Sequence, residues 1–281
     1  MSEQNKFEKI LNQLDPKSAL LVGAVGGLLT LGTLGFIILG TLVLQGKVNI
    51  GTADKNPPEA VVAQPSQQPV AQQPAQQQAP ANIPKSDKPK VELFVMSYCP
   101  YGLQMEKAYV PAWELLKNKA DISLKFVSYA MHGQKEVEEN TRQYCIGKDQ
   151  PAKLANYLKC FYKGANGAAP DYNDCLKSAG INVASLNSCY DQADKQFGIT
   201  AKFEDKGSWL SGQFPIYPIH SADNTKYGVQ GSPTLVINGV QSEAGRTPEA
   251  VKVAICNAFN KPPAECSQQL ANTPSQPGFG L

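Results

Sequence analysis

The chain has 281 residues, enough for one or two domains, with 26 Lys and Arg against 24 Asp and Glu. Charge this close to balance, with no basic run interleaved with aromatics, argues against nucleic acid as a partner. Seven cysteines are many for a reducing compartment, and the odd number leaves at least one unpaired within a monomer.

Residues 1–18 carry Lys6, Lys9 and Lys17 and are assigned to the cytoplasmic side. Residues 19–44 contain no charge and exceed the roughly 20 residues that a helix needs to cross the hydrocarbon core. They are read as one transmembrane helix, because a cleaved signal peptide would have a shorter apolar core of about 7 to 15 residues. Lys47 and Lys55 follow the span, so the positive-inside bias is slight, and orientation rests on the cysteines, all of which lie C-terminal to it. The expected location is the plasma or inner membrane, single-pass, with the N-terminus cytoplasmic and the C-terminal domain in a periplasm or at a cell surface. Gly23 and Gly27 have the G-x-x-x-G spacing that lets spans approach closely, although glycine is common in spans anyway. Residues 45–89, rich in Gln, Pro and Ala, hold too few apolar groups to offset the entropy of folding. They are read as a flexible linker with a reach on the order of 100 Å.

The folded domain is expected over residues 90–266, with 267–281 a polar, frayed tail. Residues 91–98 read as a strand, 100–119 as a helix through Leu103, Val110, Trp113 and Leu116, and 122–131 as a second strand. This β-α-β start predicts two parallel neighbouring strands. From 135 to 197 the pattern is helical, broken by Gly, Pro and Asp into about four short helices, and the helical insertion as a whole is placed at about 133–226. Residues 233–238 return to strand, turn at Asn238-Gly239 and run back through 240–244. Thr247-Pro248-Glu249 then opens a last helix, with Thr as cap, Pro at the first position and an acid near the positive end. The fold class is α/β.

Cys99 falls where a strand ends and a helix begins, with Pro100 at the first helical position. Free N–H groups and the helix dipole stabilise a thiolate there, which makes Cys99 the candidate nucleophile. The competing reading, a small buried hydrophobe, fits poorly with Pro100 and Tyr101, which expose a turn. His132 is read as a solvated loop residue in preference to a proton-sharing partner of the thiol. Glu106, two helical turns beyond Cys99, is read as solvent-facing in preference to an acid beneath the thiol, and His220 has no partner visible in sequence. Tyr98 and Tyr101 either offer apolar surface to unfolded chains or simply pack. The other six cysteines are expected to form three bridges. Cys256–Cys266 closes a short loop, and Cys160–Cys175 with Cys145–Cys189 is the favoured set among the three connectivities that the remaining four allow. No C-x₂₋₄-C pair exists and only two histidines do, so no metal site is expected, and the chemistry needs no organic cofactor.

The segment FVMSYCPYG (94–102), followed by GVQGSPTLVING (228–239) and AGRTPEAV (244–251), closely resembles DsbA-like proteins of the thioredoxin superfamily, over about residues 90–266. The resemblance implies a thioredoxin-like fold carrying a helical insertion. It also implies a cis Ser232–Pro233 bond opposite Cys99, and a Ser232 backbone that pairs with a client peptide as an added strand, Pro100 and Tyr101 completing the substrate surface. The departure lies in the motif: the family has C-x-x-C, whereas this chain reads Cys99-Pro100-Tyr101-Gly102. No disulfide can be stored there. A single thiolate still attacks a client disulfide to form a mixed disulfide, and release by a second client thiol is isomerisation, release by an external thiol or partner protein reduction. The expected function is thus thiol-disulfide exchange on disulfide-containing or unfolded secreted or envelope proteins. One rival is a non-catalytic module of the same fold that binds unfolded chains or a membrane partner. Another is a glutathione-using transferase or isomerase, against which the anchor and the extracytoplasmic cysteines count.

Overall fold

The computed structural model describes residues 82–280. The cytoplasmic segment, the span at 19–44 with its Gly23/Gly27 pair and the linker up to residue 81 lie outside the described residues. Among those described, no helix is long and apolar enough to cross a membrane.

Four strands form one sheet in the order β2-β1-β3-β4: β1 (Lys90–Val95), β2 (Asp121–Phe126), β3 (Thr234–Ile237) and β4 (Val240–Ser242). β1 runs parallel to β2 and antiparallel to β3, and β4 returns antiparallel along β3. As a central strand β1 is buried on both faces from Val91 to Val95; four of those five residues are apolar, and the buried Glu92 is paired with Lys90 and Lys125. Its alternation divides the interior in two: Val91, Leu93 and Val95 join the main core, while Phe94 and Met96 join Val127 and Val236 in a smaller one.

α1 (Pro100–Leu116) links β1 to β2, and α8 (Pro248–Asn257) packs against it. Between β2 and β3 lie α2 (Gln134–Asp149), α3 (Pro151–Phe161), α4 (Tyr172–Ser178), α5 (Val183–Phe197), α6 (Ile199–Glu204) and α7 (Ser221–Tyr227). Side chains of Asp171, Asn182 and Thr247 accept from the first free N–H groups of α4, α5 and α8, which fixes where these helices start. The predicted second strand stops early, at Phe126: Val127 N–H still donates to Val95 O, but from Ser128 on the chain pairs elsewhere. Ala130 N–H donates to Pro215 O at 2.9 Å and Tyr217 N–H to Ser128 O at 2.8 Å.

Three disulfides staple the helices. Cys145–Cys189 joins α2 to α5, Cys160–Cys175 joins α3 to α4, and Cys256–Cys266 ties α8 to the turn that follows it. Bridges that close loops of 44 and 15 residues contribute roughly 3–4 kcal/mol each in the chain-entropy view.

Both ends of the domain extend further than the sequence suggests. Residues 82–89, assigned to the linker, are docked: Ser86 N–H donates to Ala258 O, Asn260 N–H donates to Ser86 O, and Asn238 reaches Pro84 O. The tail after Cys266 is likewise seated on the domain. It packs beside α8 and then crosses α1 as a strap, where Gln104 donates to Ser275 O at 2.7 Å and Lys107 donates to Gln276 O and Gly278 O at 2.9 and 2.8 Å. Polar composition misled here because the strap offers backbone carbonyls to buried donors and needs only one apolar anchor. That anchor is Phe279, whose ring meets Tyr98 and Phe161 edge-on at 5.6 and 5.3 Å. Phe279→Ala is expected to weaken strap docking by about 1–2 kcal/mol, read as faster hydrogen exchange at Gly278 and Gly280 with the rest of the domain unchanged.

Candidate active site at the end of the first strand

The antiparallel register of β1 and β3 builds the site. Continued two residues past the Phe94–Thr234 pair, it sets Met96 opposite Ser232, so the peptide before β3 lies beside the turn that leads into α1. Ser232–Pro233 is a cis peptide. Cys99 caps α1 with extended backbone (φ −68°, ψ 122°), and its Sγ accepts from Gly102 N–H at 3.4 Å. On its other side Sγ lies 3.5 Å from the Ser232 carbonyl oxygen, within hydrogen-bonding reach for the thiol. Cys99 is half-buried and is the free cysteine among the described residues, the other six being bridged.

Four consecutive backbone donors leading to the thiol are each held by a different group. Met96 N–H donates to Ser232 Oγ at 2.9 Å, Ser97 N–H to Asn140 Oδ1 at 3.0 Å, Tyr98 N–H to Glu136 Oε1 at 3.0 Å, and Cys99 N–H to Met96 O at 2.9 Å. Buried N–H groups satisfied in this way leave the turn little freedom. Sequence reasoning missed Glu136 and Asn140. Their signal was a pair of polar residues four apart on a helix, which share one face and here aim it at the turn.

Glu136 also explains His132. The carboxylate is fully buried and accepts from Met131 N–H at 2.7 Å, from His132 N–H at 3.1 Å and contacts His132 Nδ1 at 2.8 Å. The imidazole is thus engaged by Glu136 and serves the loop that the same carboxylate ties to Tyr98. Tyr98 packs between Phe161 and Phe279, while Tyr101 is 54% exposed beneath the Arg246 guanidinium and Met131 is 52% exposed. Pro100, exposed at the first position of α1, gives its carbonyl to Gly278 N–H at 2.8 Å, so the strap borders the site.

Glu106 requires correction. It does not face solvent: it is fully buried, because α1 is enclosed by the sheet, α3, α8 and the strap, and neither carboxylate oxygen has a hydrogen-bond partner. Burial first, and then the Glu139 carboxylate, push its pKa up to about 8, with Lys107 opposing. His220 is a structural group. Its Nδ1 accepts from Phe126 N–H at 3.0 Å, its ring stacks on Phe126, and burial, then Lys125, lower its pKa to about 4, leaving it neutral.

No family model and no curated protein matches the chain. Among solved structures, it is similar to the reduced form of the disulfide bond oxidoreductase DsbG from Mycobacterium tuberculosis, at 14% identity over 66% of this chain and 89% of that one, with a TM-score of 0.43. It is also similar to oxidised DsbA from the same organism (16% identity, 64% and 87% coverage, TM-score 0.45) and to oxidised BdbD from Bacillus subtilis (18%, 63% and 90%, 0.40).

Proposed function

We propose that this chain is a membrane-anchored, extracytoplasmic thiol-disulfide exchange protein of isomerase or reductase type, with Cys99 as its single nucleophile. One observation carries the reading: the unbridged sulfur caps a helix, accepts from the Gly102 N–H and faces the carbonyl of a cis Ser232–Pro233 peptide. The Cys99 thiolate attacks one sulfur of a client disulfide; that bond breaks, the other client sulfur leaves as a thiolate, and a Cys99–client disulfide forms. A second client thiolate then attacks the client sulfur of this bond, closing a new client disulfide and freeing Cys99 with no net electron transfer. With a low-molecular-weight thiol as co-reactant, two such thiols reduce the client to a dithiol and leave as their own disulfide. Ser232 and Pro233 would hold the client as an added strand, with Pro100 and Tyr101 bordering it. Three disulfides fit an oxidising compartment, and the uncharged stretch at 19–44 fits the anchor.

The test uses the full chain in intact cells and in purified form. A membrane-impermeant maleimide is expected to label one cysteine, Cys99, in intact cells, and purified protein to restore activity to a disulfide-scrambled client. Cys99→Ser is expected to abolish both. Unlabelled Cys99, or an isomerase activity that survives Cys99→Ser, would give way to the non-catalytic binding module.

A further inference from the structure

We infer that Ser232 enforces single-thiol chemistry at this site: its hydroxyl fills the volume that any side chain at position 102 would need, so Ser232 and Gly102 act as a pair. The inference rests on the exchange reading and deepens it. A Cβ placed on Gly102 would lie 2.6 Å from Ser232 Oγ, 3.1 Å from Met96 O and 3.3 Å from Cys99 Cβ. The first of these is closer than real Cβ contacts allow, and the other two are tight.

Conformation does not explain the glycine. Gly102 lies within α1 and has no positive φ, so its backbone suits any residue, and glycine there costs about 0.5–1 kcal/mol against alanine. Space explains it. Nor can the serine easily turn aside, because its Oγ accepts from Met96 N–H at 2.9 Å and Met96 is buried. Moving the hydroxyl would leave that donor without a partner. The missing second cysteine is therefore matched by a side chain across the sheet register that has taken its place. A client mixed disulfide on Cys99 is protected from attack by its own motif and persists until a client thiol or a small thiol arrives. Ser232 is on this account a positioning residue.

The test compares full-length wild type, Gly102→Cys, Ser232→Ala and the double variant, each exposed to oxidised glutathione. Cys99 thiolate attacks one glutathione sulfur, releasing glutathione thiolate and leaving Cys99 glutathionylated. Where the thiol introduced by Gly102→Cys can reach, its thiolate attacks the Cys99 sulfur, closes a disulfide within the motif and expels the second glutathione thiolate, two electrons having passed to glutathione disulfide. Differential alkylation and mass spectrometry follow the two products. The double variant is expected to close the motif disulfide at least tenfold faster than Gly102→Cys alone, which retains the glutathione adduct. Equal closure rates would overturn the pairing, whereas a wild-type Cys99 that takes up no glutathione would overturn the exchange reading itself. Should Gly102→Cys not fold, Gly102→Ala in both backgrounds replaces it. A fall in Tm with Ser232 present that is largely absent with Ser232→Ala supports the pairing, and equal falls refute it.

Discussion

Arg142→Met is expected to lower the stability of the folded domain by about 3–5 kcal/mol, measured by urea unfolding at neutral pH. Glu139, 1% exposed, accepts from Arg142 Nη1, from Gln143 at 3.0 Å and from Tyr157 Oη at 2.8 Å. Burial pushes the Glu139 pKa up and Arg142 opposes that rise. Methionine keeps much of the stem's packing and removes the charge, so the carboxylate is left buried beside neutral donors. With its folded-state pKa raised further above the unfolded value, Glu139 binds a proton more readily in the folded state, so the loss grows as pH rises through the unfolded value and beyond. The Arg142→Met/Glu139→Gln double variant is expected to lose less than the single one, since no charge remains to be compensated. Equal losses would show that the ion pair is not what Arg142 contributes.

Glu106→Gln is expected to stabilise the protein at alkaline pH. A carboxyl whose pKa rises from 4.5 unfolded to about 8 folded binds more protons in the folded state, so stability falls as pH climbs between those values. The penalty is absent below the unfolded value and complete above about pH 8, where the shift corresponds to about 5 kcal/mol. Glutamine removes the titration and keeps the shape. Its advantage over wild type should vanish near pH 4 and reach a few kcal/mol at pH 9, in paired denaturation curves across that range. An advantage independent of pH would place the Glu106 carboxyl outside this account.

The local elements of the site were legible in the sequence because their signals are local. A strand followed by the turn Ser97-Tyr98-Cys99 and then Pro100 fixes the helix start, and Thr247-Pro248-Glu249 fixes another through one hydroxyl and one N–H. What escaped was set by tertiary enclosure. Glu106 sits on a helix that looks half-exposed until the strap is known to cover it, and Glu136 serves three amides from separate segments that spacing alone cannot bring together. The strap itself was hidden because its bonds are made by main-chain carbonyls and N–H groups, which leave no mark in composition.

That mode of attachment sets how much the tail can drift. Ser275 and Gln276 engage α1 through carbonyl oxygens that every amino acid possesses, so changing either one leaves its anchor in place. Phe279, for its ring, and Gly278 and Gly280, with φ at +80° and +108°, supply something specific to their residue types. A counterpart in another chain would share three positions and little else, and its pairing with Lys107 and Gln104 on the first helix would identify it better than its own letters.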